Sequence, residues 1–178
     1  MTSLAEKKGF IWFDGEIIKS EDANVHVLTH TLHYGLGVFE GVRAYETPEG
    51  PKIFRLNDHT ERLFASAKAV ELEIPFTVEE INKAQIEIVK KNDLKEAYIR
   101  PMSFYGSGSL GLRADNLKVH TIVAAWEWPS YMAPEVFERG IKVKISSYKR
   151  ERGNLVSRSK VNVNYVKSMM DLKEALRE

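Results

Sequence analysis

The sequence predicts an α+β protein, an antiparallel sheet carrying helices on one side. Three observations predict it. Strand-prone stretches lie at both ends of the first 126 residues, two helix-periodic segments stand between them, and tight-turn signals separate neighbouring strands.

The elements follow in order. "FIWFDGEIIK" sets apolar runs on either side of Asp14-Gly15, a pair that suits a two-residue hairpin because both central positions need positive φ. "NVHV" also has a strand-like pattern. "GVFEGVRAYE" and "PKIFRL" flank "TPEG" and predict a second hairpin, with Pro and Gly supplying the turn. In "NDHTERLFASAKAVEL" the residues Leu63, Phe64, Ala67 and Val70 share one helical face, and Asp58 with Glu61 resembles a capping box. Beyond Pro75, Thr77 and Glu80 make the regular box, and Ile81, Ala84, Ile88 and Val89 form the next buried stripe. "EAYIRPMSFYG", "KVHTIVAAWEW" and "IKVKISSYKR" are β-prone.

"WPSYMAPEVFERG" holds two prolines and a glycine and is read as a linker. It divides an N-terminal domain, 1–126, from a second region, 140–178, with 127–139 between them. That second region offers one strand, an irregular stretch and one helix opening near Val161. These are too few to close a core, so they either pack on the first domain or begin something longer.

Composition excludes several function classes. Cysteine is absent, which removes disulfides and thiolate metal sites. Formal charge is +1 from 26 basic and 25 acidic residues, so no electrostatic footprint for nucleic acid or a membrane surface is expected. "MTSLAEKKGF" has no apolar signal-peptide core, and no apolar run nears the roughly 18 residues of a membrane helix. A soluble, cytoplasmic protein is expected.

Two motifs mislead. Gly106, Gly108 and Gly111 satisfy a dinucleotide-binding spacing, but "LRADNLKVHTIV" after them has no helical period and runs into a strand, so a loop is expected. His26, His30 and His33 would share a face if helical, but no acid or thiol lies among them, and no metal is expected.

A lysine can form a Schiff base with a carbonyl, often that of pyridoxal phosphate. Lys160, in "SRSKVN", reads alone as a solvated side chain. Four further residues change its weight. Arg62 lies on the first helix, Tyr98 and Arg100 alternate along a strand and share a face, and Tyr165 follows Lys160 by five residues.

Together, "VHVLTHTLHYGLGVFEGVRAYET", "IFRLNDHTERLFASAKAV", "AYIRP" and "SKVNVNYVKSM" strongly resemble the branched-chain amino acid aminotransferases, pyridoxal-phosphate enzymes of class IV, or fold type IV. The resemblance runs from about Phe10 to the last residue. D-amino-acid aminotransferases and aminodeoxychorismate lyases share the lysine and the Arg62-type arginine. Tyr98-x-Arg100 and "GVFEGVRAY" look like the branched-chain subgroup. The alternatives are another class IV enzyme or a non-catalytic domain of that fold.

The resemblance implies roles residue by residue. Lys160 holds pyridoxal 5'-phosphate covalently and moves the proton, Arg62 binds its phosphate, and Tyr165 stands near its ring hydroxyl. Phe39, Trp128 and Tyr131 wall the substrate side chain, with Gly41 close-packed at that wall. Tyr98 and Arg100 help the pocket take an acidic side chain, while Tyr34, Leu110 and Leu112 enter the neighbouring subunit's site. The implied reaction exchanges amino groups between L-leucine, L-isoleucine or L-valine and 2-oxoglutarate, giving branched 2-oxo acids and glutamate. The implied assembly is a homodimer or higher oligomer.

Two departures stand out. The family commonly has glycines after the lysine, where this chain has Val161-Asn162-Val163-Asn164. The family also continues beyond this point, with a glutamate for the pyridine nitrogen and most of the phosphate cup. This chain is therefore read as truncated within its second domain, poor at holding the cofactor alone, with a separate chain as one possible source of the missing part.

Overall fold

Asp14 and Gly15 both take positive φ, 49° and 100°. Their turn joins β1 (Phe10–Phe13) to β2 (Glu16–Lys19) as the sequence predicts. In this computed structural model, residues 3–6, 8–128, 134–149 and 153–177 are described.

The chain then forms a short helix α1 (His30–Tyr34), and Gly35 ends it in the left-handed region at φ 74°. "NVHV" is not a strand: Val25 and Val27 are exposed, and the nearest pairing, at Thr29, is a single bridge to Ser107. The strands β3 (Gly37–Phe39) and β4 (Val42–Tyr45) are separated by Glu40 and Gly41, and β4 returns as β5 (Lys52–Ile53). After α2 (Leu56–Ala69) and α3 (Val78–Lys91) come the long strands β6 (Ala97–Tyr105) and β7 (Val119–Trp126).

Among the described residues, seven strands form one antiparallel sheet in the order β2-β1-β7-β6-β4-β5, with β3 also on β6. The helices bury their predicted stripes. Leu63, Ala67, Ile81, Ala84, Ile88 and Val89 join Val42, Ile99 and Val123 in the core. Thr77 and Glu80 close the capping box in both directions, at 3.2 and 2.7 Å. The box expected at Asp58 does not form. The helix starts earlier, behind Arg55 in the left-handed region, and Asp58 falls in its first turn, where it pairs with Arg55. The polar seam between α2 and α3 is held by Gln85 and Asn82, both bonded to the buried Thr60 hydroxyl at 2.9 and 2.6 Å.

Past β7 come the short helices α4 (Pro134–Arg139) and α5 (Leu155–Arg158), then a 3-10 turn (Asn162–Asn164) leading into α6 (Tyr165–Ala175). The strand expected from "IKVKISSYKR" is not present among its described residues. A strand needs a neighbour for its N–H and C=O groups, and no described strand lies beside this one. Its alternating Val143 and Ile145 are 85% and 96% exposed.

Candidate active site

Lys160 is fixed by its backbone. Its N–H donates to Ser66 Oγ on α2 at 3.0 Å, and its carbonyl accepts from the Phe39 N–H at 3.3 Å. The next residue, Val161, is fully buried in the core and bridges to Val38. A solvated loop lysine would have none of these ties. The preceding turn is held by Asn164 Nδ2, which donates to the carbonyls of Val156 and Ser159 at 2.6 and 2.9 Å. Asn162 and Val163 fit against small residues: Val163 packs on Gly35, and Asn162 stands where a Cβ on Gly37 would come within 3.1 Å of its amide.

The Lys160 ammonium donates to Tyr165 Oη and lies 4.6 Å from the Phe39 ring centroid. The Phe39 and Tyr165 rings pack at 4.8 Å. The Arg100 guanidinium stands 4.5 Å from the Phe39 centroid, so Phe39 is contacted by two cations. Aromatic faces attract cations through their quadrupole. Arg100 Nη2 donates to Tyr98 Oη at 2.9 Å, while its buried Nε has no hydrogen-bond partner among the described residues. Tyr98 packs on Trp126 and Trp128 at 5.1 and 4.9 Å.

Gly41 has a clear steric cause. A Cβ there would sit 2.9 Å from Tyr98 Cζ and closer still to its hydroxyl. Only a residue without a side chain lets Tyr98 lie over this backbone.

Arg62 points to a partner the sequence reading missed. Its Nε and Nη2 donate to the two Glu40 carboxylate oxygens at 2.6 and 2.8 Å. The Glu40 side chain is completely buried. His59 Nδ1 and the Gly41 N–H also donate to it, at 3.0 and 3.2 Å. Burial alone pushes the Glu40 carboxyl up, but the hydrogen bonds from Arg62 and His59, with the Arg62 charge, hold it below the usual carboxylate range. The hydrogen bond to Glu40 outweighs burial and raises Arg62 in turn. The signal in the sequence was a lone acid between Phe39 and Gly41 in an otherwise apolar run.

Arg62, Lys160 and Tyr165 line one cleft of about 540 Å³, together with the hydroxyl-bearing Ser66, Ser157 and Ser159. The lining also holds Arg158, Ser168 and the Lys167–Asp171 ion pair. An excess of cations beside hydroxyl groups suits an anionic ligand, and an amine in the same space suits an aldehyde. The donor set fits a phosphorylated carbonyl compound.

The structure brings Lys160, Tyr165, Phe39 and Arg100 into contact, Tyr98, Gly41 and Trp128 beside them, and Arg62 into the same cleft. Tyr34, Leu110 and Leu112 form a separate, exposed group. His30 links them, stacking on Tyr34 at 4.5 Å and bonding the Gly111 carbonyl through Nε2 at 2.8 Å. Tyr131 lies outside the described residues. His26, His30 and His33 do not converge, and no group that could hold a metal ion occurs among the described residues. The described residues of the Gly106–Gly111 stretch form the predicted loop between β6 and β7. No described helix is long and apolar enough to cross a membrane.

Comparison with known proteins gives the family and the fold. A family model described as amino-transferase class IV matches residues 37–178. The branched-chain-amino-acid aminotransferase of Pseudomonas aeruginosa is 54% identical over 175 residues, covering 98% of this chain and 57% of that protein. The Escherichia coli protein of the same name is 38% identical over 97% of this chain and 56% of its own length. Among solved structures, the Escherichia coli branched-chain amino acid aminotransferase superposes with a TM-score of 0.87 at 38% identity, covering 92% of this chain and 54% of that one. A T.th. branched-chain amino acid aminotransferase with pyridoxamine 5'-phosphate gives 0.85 at 41% identity, over 92% of this chain and 54% of that one. The chain thus spans little more than half the length of the relatives it matches.

Proposed function

The chain belongs to the class IV aminotransferases, and we propose that the full protein uses pyridoxal 5'-phosphate to exchange amino groups between branched-chain L-amino acids and 2-oxoglutarate. The observation that carries this reading is the cleft itself, in which a core-anchored lysine amine, its tyrosine partner and a clamped arginine face the same space.

When bound, pyridoxal phosphate supplies an aldehyde that condenses with amines and a ring that accepts the electron pair left as an α-proton departs. Lys160 Nζ is the amine that would hold the aldehyde, and as a free amine it would take the substrate's α-proton. Tyr165 Oη accepts from Nζ and keeps it directed into the cleft. Arg62 and the serine hydroxyls, which line the same cleft, would hold the phosphate. Phe39 and Tyr98, the latter backed by Trp126 and Trp128, supply an apolar wall for a branched side chain. Arg100, with its unspent Nε, supplies the cation for the acidic one. The exposed Leu110 and Leu112, on a loop held by His30, suit a neighbouring subunit's site and support a homo-oligomer.

The test is turnover of L-valine with 2-oxoglutarate by the full protein, repeated with Arg100→Met. Loss of the cation leaves a buried carboxylate unpaired, whereas an apolar side chain loses little. Glutamate and 2-oxoglutarate should suffer far more than valine. Equal losses, or turnover of D-alanine in place of L-valine, would contradict the reading.

A further inference from the structure

Arg62 is a long side chain on the rim of the cleft, 58% exposed, yet its guanidinium has a fixed orientation. A guanidinium carries five N–H donors in a planar fork. Glu40 takes one from Nε and one from Nη2, and because His59 Nδ1, 3.5 Å from Nη2, gives its own hydrogen to Glu40, three remain on the end formed by Nη1 and Nη2. Glu40 cannot yield this grip easily. Its side chain is fully buried, its N–H is tied to the Pro101 carbonyl at 2.9 Å, and a buried carboxylate without its cation is strongly unfavourable. His59, one turn before Arg62 on α2, closes the cluster by bonding the same carboxylate.

We propose that Glu40 is a positioning residue for phosphate recognition: it occupies the side edge of the Arg62 guanidinium so that the Nη1–Nη2 end alone is presented to the phosphate. The inference rests on the pyridoxal-phosphate reading and deepens it. Two consequences follow from the geometry. Replacing the carboxylate by an amide puts an NH2 against the donors of Arg62 or His59, so the fork swings and the phosphate loses its partner. Replacing the fork by a single ammonium gives Glu40 and the phosphate one charge to share, and the buried carboxylate keeps it. In both cases the part of the affinity that depends on the phosphate falls, while the part that depends on the aldehyde and ring does not.

The experiment measures dissociation constants of pyridoxal phosphate and of pyridoxal, which lacks the phosphate, for the full-length protein. The variants are Glu40→Gln, Arg62→Lys, Arg62→Ala and the double variant Glu40→Gln/Arg62→Ala. The readout is the ratio of the two constants, which a general loosening of the fold would not move. Partners that orient metal ligands are typically worth about 10- to 100-fold in affinity, and by the same logic Glu40→Gln should weaken pyridoxal phosphate by at least about tenfold and leave pyridoxal within about twofold. The double variant should match Arg62→Ala alone, because the effect of Glu40 passes through Arg62. Arg62→Lys, which leaves Glu40 in place, should lose the phosphate preference as fully as Arg62→Ala. An unchanged ratio in Glu40→Gln or a wild-type ratio in Arg62→Lys overturns the inference and leaves the cofactor reading standing. Failure of the wild-type protein to bind pyridoxal phosphate overturns both.

Discussion

The sheet with α2 and α3 and the segment that carries Lys160 treat their apolar residues in opposite ways. In the first, Leu63, Ile81, Ile88 and Ile99 have no exposure. In the second, Met169 and Leu172 are 61% and 60% exposed, and Val161 is the exception at 1%. Within its own segment Lys160 is held by the turn that Asn164 ties and by Tyr165, but its backbone is anchored outside that segment. It borrows rigidity from the sheet and α2 through Val161, Ser66 and Phe39. Chemistry needs a positioned amine, and here the position is set by residues about 95 to 120 places earlier in the chain.

The largest effect expected from this contrast is in the core. Leu63→Ala should cost about 2–5 kcal/mol in a denaturant melt, because transfer and cavity terms add at a site with no exposure. Gly41→Ala comes next. The added methyl drives Tyr98 off its seat, and overpacking of this kind costs about 1–3 kcal/mol. It should also break the Tyr98–Arg100 hydrogen bond, readable as loss of 2-oxoglutarate turnover beyond that of valine.

The third prediction is the pH dependence of the Glu40 cluster. Its carboxyl titrates below its ordinary value of 4.5, so the stability it contributes is fully present above that pH and is lost as pH falls through the lowered value. Urea melts of the wild type and Glu40→Gln should differ most near neutrality and converge below pH 4.5. A constant gap would mean the carboxylate charge is not what Arg62 and His59 hold. The smallest effect is Leu172→Ala, an exposed position within this chain, expected within about 0.5 kcal/mol. A loss as large as that of Leu63→Ala would erase the contrast between the two regions.

What was legible in the sequence was local. The Asp14-Gly15 turn, the Thr77–Glu80 box and the stripes of α2 and α3 each depend on residues within a few positions of one another. The candidate site residues came from resemblance, and the structure brings Lys160, Arg100 and Tyr165 against Phe39. What was not legible needed distant partners. Glu40 is buried because Arg62 reaches it from 22 residues away, and Gly41 is glycine because Tyr98, on another strand, lies on it. "IKVKISSYKR" shows the converse, since its alternation is strand-like but pairing requires a neighbour no local pattern can supply. Asp58 has cap chemistry, yet the reversal at Arg55 starts the helix before it.

The central claim is that the core holds Lys160 as the amine that bonds pyridoxal phosphate. Its most direct test is to load the full protein with pyridoxal phosphate, reduce with borohydride, and map the adduct by peptide mass spectrometry. The account predicts stoichiometric labelling of Lys160, with loss of the visible absorbance band on reduction and no band in Lys160→Ala. Labelling scattered over several lysines, or a band that persists in Lys160→Ala, would contradict it.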